Sequence, residues 1–349
     1  MSRDEITPTA TKKHSRIGVF APFVCVLVLL AGWSAYWFYV AHQVETRLAA
    51  HRAELVASGY RISYDPFKVR GYPYRMFVEL KNLSVTAPNG KGFATGDLQA
   101  EANAYALDRW VMLAPQGLTL YRGQLDGVNL GTVTVTGQGL RASVSGLTRP
   151  VYNVAIEGVQ LNLVASDPGH PFAFTTADKV DAYLRPTQNV ADSADFLMRV
   201  SGAHGQPQSF VGDISPDKPL SLSVEGSLNH YSAFNGGGVK AWGAAGGTAT
   251  GVKAQISAGE LTVMISGDGL TSDSSGRLQG QAKISMSGTY RPLDVLGAMR
   301  LISDDNMTLA KPLLRMSLAA QGAPAFTLDF HDGHAYIGPL KVSDAPILP

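Results

Sequence analysis

The chain has 349 residues, a formal net charge of +1 and only 16% charged residues. This charge balance excludes bulk electrostatic attraction to nucleic acid, so no nucleic-acid partner is predicted. The single cysteine excludes an intrachain disulfide, and a chain of this size buries enough apolar surface to fold without one.

The first element is an uncharged apolar run of 24 residues, Ile17–Val40. A helix of this length, at about 1.5 Å per residue, crosses the roughly 30 Å hydrocarbon core of a bilayer. The run is longer than the core of a cleaved signal peptide, and it ends in aromatic residues typical of a membrane interface: Trp33, Tyr36, Trp37, Phe38 and Tyr39. The sequence therefore predicts an uncleaved, single-pass transmembrane helix.

The tail before this run, residues 1–16, is basic and predicts the orientation of the helix. Its charged residues are Arg3, Asp4, Glu5, Lys12, Lys13 and Arg16. Short basic segments stay on the cytoplasmic side of a membrane. We therefore expect a cytoplasmic N-terminus and place the remaining chain across the membrane.

Residues 41–58 have helical spacing, with Val44, Leu48 and Leu55 on one stripe and Gly59 as the stop signal. We interpret this segment as a juxtamembrane helical stalk that continues the membrane helix. A role in spacing the body from the bilayer is favoured over a role as a partner-binding helix.

From residue 59 to residue 349 the period changes to two, which predicts twelve to sixteen β-strands. Four turn dipeptides predict antiparallel hairpins: Asn89-Gly90, Asp126-Gly127, Asp268-Gly269 and Asp332-Gly333. The apolar phase shifts at Asn82, which predicts a one-residue bulge. The predicted fold is mainly β: a large antiparallel domain, as a curled sheet or a sandwich, with few helices.

Four segments interrupt or end this pattern. Residues 202–218 are polar and predict a loop or a linker between two halves of the sheet, and the glycine-rich segment 236–247 predicts a surface loop. Residues 292–302 predict a helix. Alternation at Leu314, Met316 and Leu318 predicts a further strand near the C-terminus.

Strands with one apolar face must cover that face with a second sheet, a helix or a ligand. Because few helices are predicted, two arrangements stay open. The sheet either stacks as a closed sandwich or curls and leaves an apolar trough in which a lipid acyl chain completes the core.

The segment Val69-Arg70-Gly71-Tyr72-Pro73-Tyr74-Arg75 resembles the opening signature of an uncharacterised proteobacterial family of membrane-anchored envelope proteins, a domain of unknown function. Two further stretches fit the family: Gly259 to Leu296, and the ending Asp332 to Leu340. The resemblance covers roughly residues 60–349. The family is similar to the wider AsmA-like group, which has one N-terminal membrane helix and a long β-rich periplasmic body.

This resemblance implies a bacterial inner-membrane protein with a periplasmic domain and a role in lipid handling or envelope upkeep. It implies no catalytic residues and no cofactor. We therefore predict a non-enzymatic protein that binds or transfers lipid, a phospholipid or another envelope lipid, through an apolar sheet face. The alternatives are an envelope scaffold that binds a protein partner by a strand edge, and a hydrolase with a scattered site.

Aromatic and basic residues are concentrated at the start of the β-rich domain. Four of them are predicted membrane-proximal lipid contacts: Arg70, Tyr72, Tyr74 and Arg75. The alternative is that the aromatic side chains of this region pack inward as the first strands of the sheet. Gly71 and Pro73 are expected to shape a sharp bend.

The segment His331-Asp332-Gly333-His334 places two imidazoles opposite each other if Asp332-Gly333 forms a two-residue turn. Two imidazoles and a carboxylate are legitimate zinc ligands, but an ordinary solvated hairpin face is the favoured interpretation. We predict no metal site.

Overall fold

A computed structural model describes residues 17–125, 127–149, 151–236, 238–288, 292–299, 301–303, 312 and 325–348. The chain begins with one continuous helix, α1 (Ile17–Ala57), which is long and apolar enough to span a membrane. The basic tail, residues 1–16, and the strand expected at Leu314–Leu318 lie outside the described residues.

The β-rich prediction is confirmed, since nineteen strands follow α1 within the described residues. The first ten are β1 (Arg61–Ser63), β2 (Arg75–Thr86), β3 (Lys91–Asn103), β4 (Ala106–Leu113), β5 (Leu118–Arg122), β6 (Gln124–Leu125), β7 (Val128–Asn129), β8 (Thr132–Thr136), β9 (Gly139–Ser145) and β10 (Asn153–Ala165). The others are β11 (Thr176–Pro186), β12 (Ala194–Ala203), β13 (Leu220–Leu228), β14 (Ala249–Ala258), β15 (Leu261–Ser272), β16 (Leu278–Ser287), β17 (Ala325–His331), β18 (His334–Ile337) and β19 (Leu340–Asp344).

Seventeen of these strands form one antiparallel sheet, and β6 and β7 form a separate small hairpin. From β10 to β19, every strand pairs with the next strand in the chain. Near the other end, β3 pairs with both β4 and β5, and β10 pairs with both β8 and β9. The sheet is therefore a long meander, the topology that short antiparallel turns produce.

Turn chemistry predicts two hairpins correctly and one incorrectly, and Asp126 of the fourth dipeptide lies outside the described residues. Asn89-Gly90 lies in the turn between β2 and β3, where the N–H of Ala87 donates to the carbonyl of Lys91 at 2.8 Å. Asp332 and Gly333 both have positive φ, 52° and 75°, and their turn pairs His331 with His334 as predicted. Asp268-Gly269 is instead internal to β15, at a register shift opposite β16, and the chain reverses before it at Gly259. The prediction failed because a dipeptide that tolerates positive φ serves a bulge as well as a turn.

The expected bulge at Asn82 is also wrong. Lys81 pairs with Asp97 and Leu83 pairs with Thr95, so the register of β2 and β3 passes Asn82 without an inserted residue. Asn82 has a left-handed φ of 51°. This single twisted residue moves the buried positions of β2 from Leu80 to Leu83.

Three short α-helices and a 3₁₀ turn accompany the sheet: α2 (Phe210–Ile214), the turn Tyr231–Gly236, α3 (Gly238–Ala244) and α4 (Pro292–Ala298). Helix α2 lies in segment 202–218, but β12 and β13 on either side of that segment pair directly, so the sheet is continuous there. Helix α3 corrects the predicted loop at 236–247, where Trp242 is buried and donates from Nε1 to the carbonyl of Asn229 at 2.7 Å. Helix α4 is shorter than predicted.

Three apolar clusters form the core. The largest extends from Val133 in β8 to Val342 in β19 and includes Val211 of α2 and Leu296 of α4. The second joins Trp37 and neighbouring residues of α1 to β2 and β3, and the third surrounds Trp242 of α3. Each cluster lies where a helix covers one region of the sheet.

Candidate functional site

The signature segment 69–75 is bound to α1 by hydrogen bonds from two tryptophans. The indole N–H of Trp33 donates to the carbonyl of Pro73 at 2.9 Å, and that of Trp37 donates to the carbonyl of Arg75 at 3.0 Å. The hydroxyls of Ser34 and Tyr72 lie 2.7 Å apart. The segment therefore fixes the start of the sheet to the helix at the level of residues 33–37.

Gly71 makes the bend that brings this segment against the helix, as predicted. Its φ is 103°, a conformation that residues with a side chain rarely adopt. A Cβ at this position would lie 2.8 Å from the carbonyl oxygen of Arg75, which is too close for a van der Waals contact. The backbone N–H of Arg75 donates to the carbonyl of Gly71 at 2.9 Å and closes the turn.

Residues 41–57 continue α1, as predicted for the helical stalk, and this part of the helix also packs along the sheet. Beyond Trp37, the Glu45 carboxylate accepts from the backbone N–H of Val69 at 3.0 Å, and the Arg52 guanidinium lies 4.9 Å from the ring centre of Tyr64. These contacts occur in order along both the helix and the sheet. Strand β2 therefore runs alongside α1, starting at the level of Trp37 and moving away from the apolar run.

The four predicted contact residues lie together at the end of the sheet nearest the apolar run. Arg70, Tyr72, Tyr74 and Arg75 are all exposed, and Arg75 pairs with Glu101 at 2.8 Å. Other aromatic residues of this region, including Tyr64 and Phe67, pack into the cluster around Trp37. The inward-packing interpretation therefore holds for Tyr64 and Phe67, whereas Tyr72 and Tyr74 are exposed.

We call this end of the domain the rim: residues 70–75, 103–109, 145–149 and 151–153. The tip of the β3–β4 turn joins it because the Tyr36 hydroxyl donates to the carbonyl of Ala104 at 3.3 Å. The β9–β10 turn joins it because the N–H of Gly146 donates to the carbonyl of Asp108 at 3.0 Å. An exposed aromatic collar surrounds α1 at the same level, formed by Phe38, Tyr39, Tyr72, Tyr74 and Tyr105.

The apolar face of the sheet is only partly covered. Two rows of cross-strand pairs cross β9 to β13: Val144, Val154, Leu184 and Phe196, and then Ala142, Ile156, Ala182, Met198 and Val224. None of these nine side chains belongs to a buried cluster, and Ile156 and Met198 are 48% and 38% exposed. We call this surface the apolar window.

All three core clusters border the apolar window. Val180 and Leu222, the next residues of the same face away from the rim, pack against the largest cluster. Trp110, which pairs with Val144, packs against the α1 cluster, and Val252 packs against the α3 cluster. The window is therefore the part of this face that lies between three covered regions, and one of its borders adjoins α1, the candidate membrane helix.

The opposite face of the same strands is polar. An open cavity of about 630 Å³ is lined mainly by residues of this face, including Tyr183, Arg185, Asp195 and Glu225, and also by Val154, Leu184 and Phe196. Burial raises the pKa of Asp195, but hydrogen bonds from Thr187 and Ser227 outweigh it and hold the pKa below its usual value. The Asp195 carboxylate is thus an ionised partner for Arg185, 3.4 Å away.

The two histidines of the β17–β18 hairpin do not converge on a shared point. His331 Nδ1 lies 2.9 Å from the Asp332 carboxylate, and His334 Nδ1 lies 2.8 Å from the Asp344 carboxylate. The ring of His331 also stacks on Tyr336, with centres 4.2 Å apart. Within the described part of the chain, no three metal-ligating side chains form a cluster.

A family model described as an uncharacterized protein conserved in bacteria (DUF2125) matches residues 37–346. The chain belongs to this family. The match begins at Trp37, so the DUF2125 region includes the part of α1 that packs on the sheet and excludes most of the apolar run. It confirms the resemblance to a domain of unknown function. No match was found among curated proteins or among solved structures.

The sequence indicated the rim of the DUF2125 domain but not the apolar window. Only the signature segment of the rim is local in sequence, whereas the other two rim segments join it through contacts between distant residues. The window residues come from five strands, and in β12 and β13 they share the alternation of the buried residues. No local pattern separates Met198 from Val200 of the same strand, which is 5% exposed.

Proposed function

We propose that this protein is a single-pass inner-membrane protein whose periplasmic domain binds the acyl chains of membrane lipids on the apolar window. The observation that carries the proposal is an apolar surface that no helix or strand of the described residues covers. Five strands spaced about 4.8 Å apart make it about 19 Å across. A surface of this kind is stabilised when an apolar ligand covers it.

The energetic argument rests on burial of hydrocarbon. Each CH₂ group that moves from water to an apolar surface contributes about 0.8 kcal/mol. Fully covered side chains of the window would add to this at about 25 cal/mol per Å². A chain of several CH₂ groups thus gains enough free energy to offset part of the cost of leaving the bilayer.

The rim supports a source for the ligand, because it places the domain close to the membrane. Aromatic side chains such as those of the collar prefer the boundary between headgroups and hydrocarbon. We assign Tyr72 and Tyr74 to this boundary, and Arg70 and Arg75 to the adjoining headgroups. A lipid that leaves the bilayer beside α1 then meets Trp110 and the first residues of the window.

The test uses the full-length protein, purified in a mild detergent that leaves bound lipid in place. Retained lipid is measured by native mass spectrometry. Met198→Glu places a charge inside the window, and we expect it to abolish lipid retention, because burying a carboxylate beside an acyl chain is costly. Met198 is partly exposed, so the substitution is compatible with folding.

Met264→Glu is the matched control. Met264 is 54% exposed on β15, where it pairs with Gln255 and Ser285 on the polar face. This variant should retain lipid as the wild type does. Equal retention by both variants, or no retained lipid in the wild-type protein, would contradict the proposal.

The adaptor alternative requires a long bare strand edge. The outer side of β2 is occupied, since Ser63 of β1 pairs with Ser84, and the N–H of Asp65 donates to the carbonyl of Lys81 at 2.9 Å. At the other end, β19 has five residues, and its Val342 carbonyl accepts from the N–H of Ser303 at 2.9 Å. Lipid binding is therefore favoured over edge recognition. The AsmA-like resemblance of the sequence supports the same, non-enzymatic class of function.

A further inference from the structure

The rim carries an excess of arginine. It includes Arg70, Arg75, Arg109 and Arg149, and all four side chains are exposed. Arg75 is neutralised by Glu101. The rim also holds one acidic residue, Asp108, but among the described residues no acidic side chain lies within ion-pair distance of Arg70, Arg109 or Arg149. Three cations are therefore available on the surface that surrounds the membrane helix.

The β9–β10 turn joins this charge to the entrance of the apolar window. Arg149 lies in this turn, between Val144 and Val154 in the chain. These two valines pair with each other and are the window residues nearest the rim. Leu147, at the tip of the same turn, is 44% exposed. A turn that presents one exposed leucine and one free arginine matches a bilayer surface, with hydrocarbon below and phosphate above.

We infer that the rim recognises a lipid surface by its negative charge, with Arg109 and Arg149 binding the phosphates of anionic phospholipid beside the window. This inference rests on the proposed function and adds the headgroup class. Charge complementarity carries it, together with the position of the two arginines beside both α1 and the window. Arginine suits the role, because its planar guanidinium donates two parallel hydrogen bonds to a phosphate.

The experiment places the full-length protein in nanodiscs of phosphatidylcholine, alone or mixed in equal parts with phosphatidylglycerol. Amide hydrogen exchange is measured on peptides that cover residues 103–109 and 146–149. We expect slower exchange in the anionic nanodiscs. This difference should disappear in about 1 M sodium chloride, where the Debye length falls to about 3 Å.

The double variant Arg109→Gln/Arg149→Gln should lose the difference between the two nanodiscs. Each arginine near an anionic surface contributes about a five-fold preference for the anionic bilayer over the neutral one. The double variant should therefore lose about 25-fold of that preference. Arg199→Gln is the matched control, since Arg199 is an exposed arginine of β12 that pairs with Asp181 and Ser223, away from the rim. It should behave as the wild type.

Exchange that is equal in the two nanodiscs, or a difference that survives in the double variant, overturns the inference. Met198→Glu distinguishes this result from failure of the proposed function. If that variant loses retained lipid but keeps slower exchange at the rim in anionic nanodiscs, both ideas stand. If wild-type protein retains lipid without any effect of headgroup charge, only the inference about the headgroup fails.

Discussion

The contact between Trp37 and the start of β2 holds the membrane helix to the sheet, and it predicts a large loss of stability on substitution. Trp37 is 3% exposed, and its ring lies edge-on to Tyr72 with centres 5.6 Å apart. Replacing a buried tryptophan by alanine costs about 3–5 kcal/mol. Since the free energy of unfolding of a domain is about 5–15 kcal/mol, Trp37→Ala should remove a large fraction of the stability.

A milder variant separates the hydrogen bond from the packing. Trp37→Phe keeps most of the buried ring but leaves the Arg75 carbonyl without the indole N–H, which lies 3.0 Å away in the wild type. The free energy of unfolding should fall by about 1–2 kcal/mol, which is less than in the alanine variant. Two variants at one site thus divide the interaction into its polar and apolar parts.

The assay is urea unfolding of the full-length protein in detergent, followed by the circular dichroism of its β-sheet. Tyr39→Ala is the control, because Tyr39 is an aromatic residue of the same helix that is 64% exposed. Its unfolding free energy should stay within about 0.5 kcal/mol of the wild type. The reasoning is refuted if Trp37→Ala is equally benign, or if Tyr39→Ala costs as much as Trp37→Ala.

Two further predictions concern the rim and the dependence of stability on pH. Gly71→Ala should destabilise the domain by more than about 1 kcal/mol, because its φ of 103° and the 2.8 Å approach of the Arg75 carbonyl both oppose a Cβ. Gly32→Ala, in open space on α1, should have no such cost in the same urea assay. The pKa of Asp273 is lowered mainly by a hydrogen bond from the Ser275 hydroxyl. The Asp273 carboxylate therefore contributes fully to the free energy of unfolding above the unfolded pKa of about 3.9. This contribution is lost as the pH falls through the lower pKa of the folded state. The melting temperature of Asp273→Asn should lie below that of the wild type at pH 7 and approach it in acid. A gap that stays constant down to about pH 2 would contradict this assignment.

Local chemistry made several features predictable. A 24-residue apolar run is long enough for a membrane helix whatever follows it, and a period of two defines the two faces of a strand without knowledge of its partners. The pairing of His331 with His334 also follows locally, because the two residues between them both accept positive φ. Tyr72 and Tyr74 lie two residues apart in the signature segment, and both are exposed at the rim.

The proposed lipid-binding surface depends on the tertiary structure. Alternation shows that Met198 lies on the same face as Val200, but its exposure depends on where α1, α2, α3 and α4 pack on the sheet. Those helices cover three regions of the sheet and leave the apolar window between them. Which regions of the sheet are covered is decided by residues far apart in the chain that share a cluster, such as Trp37 with Met76 or Leu296 with Leu328. The sequence by itself therefore determined the membrane helix, the strands and their faces, whereas only the packing of the whole domain decided which apolar residues were left open to a ligand.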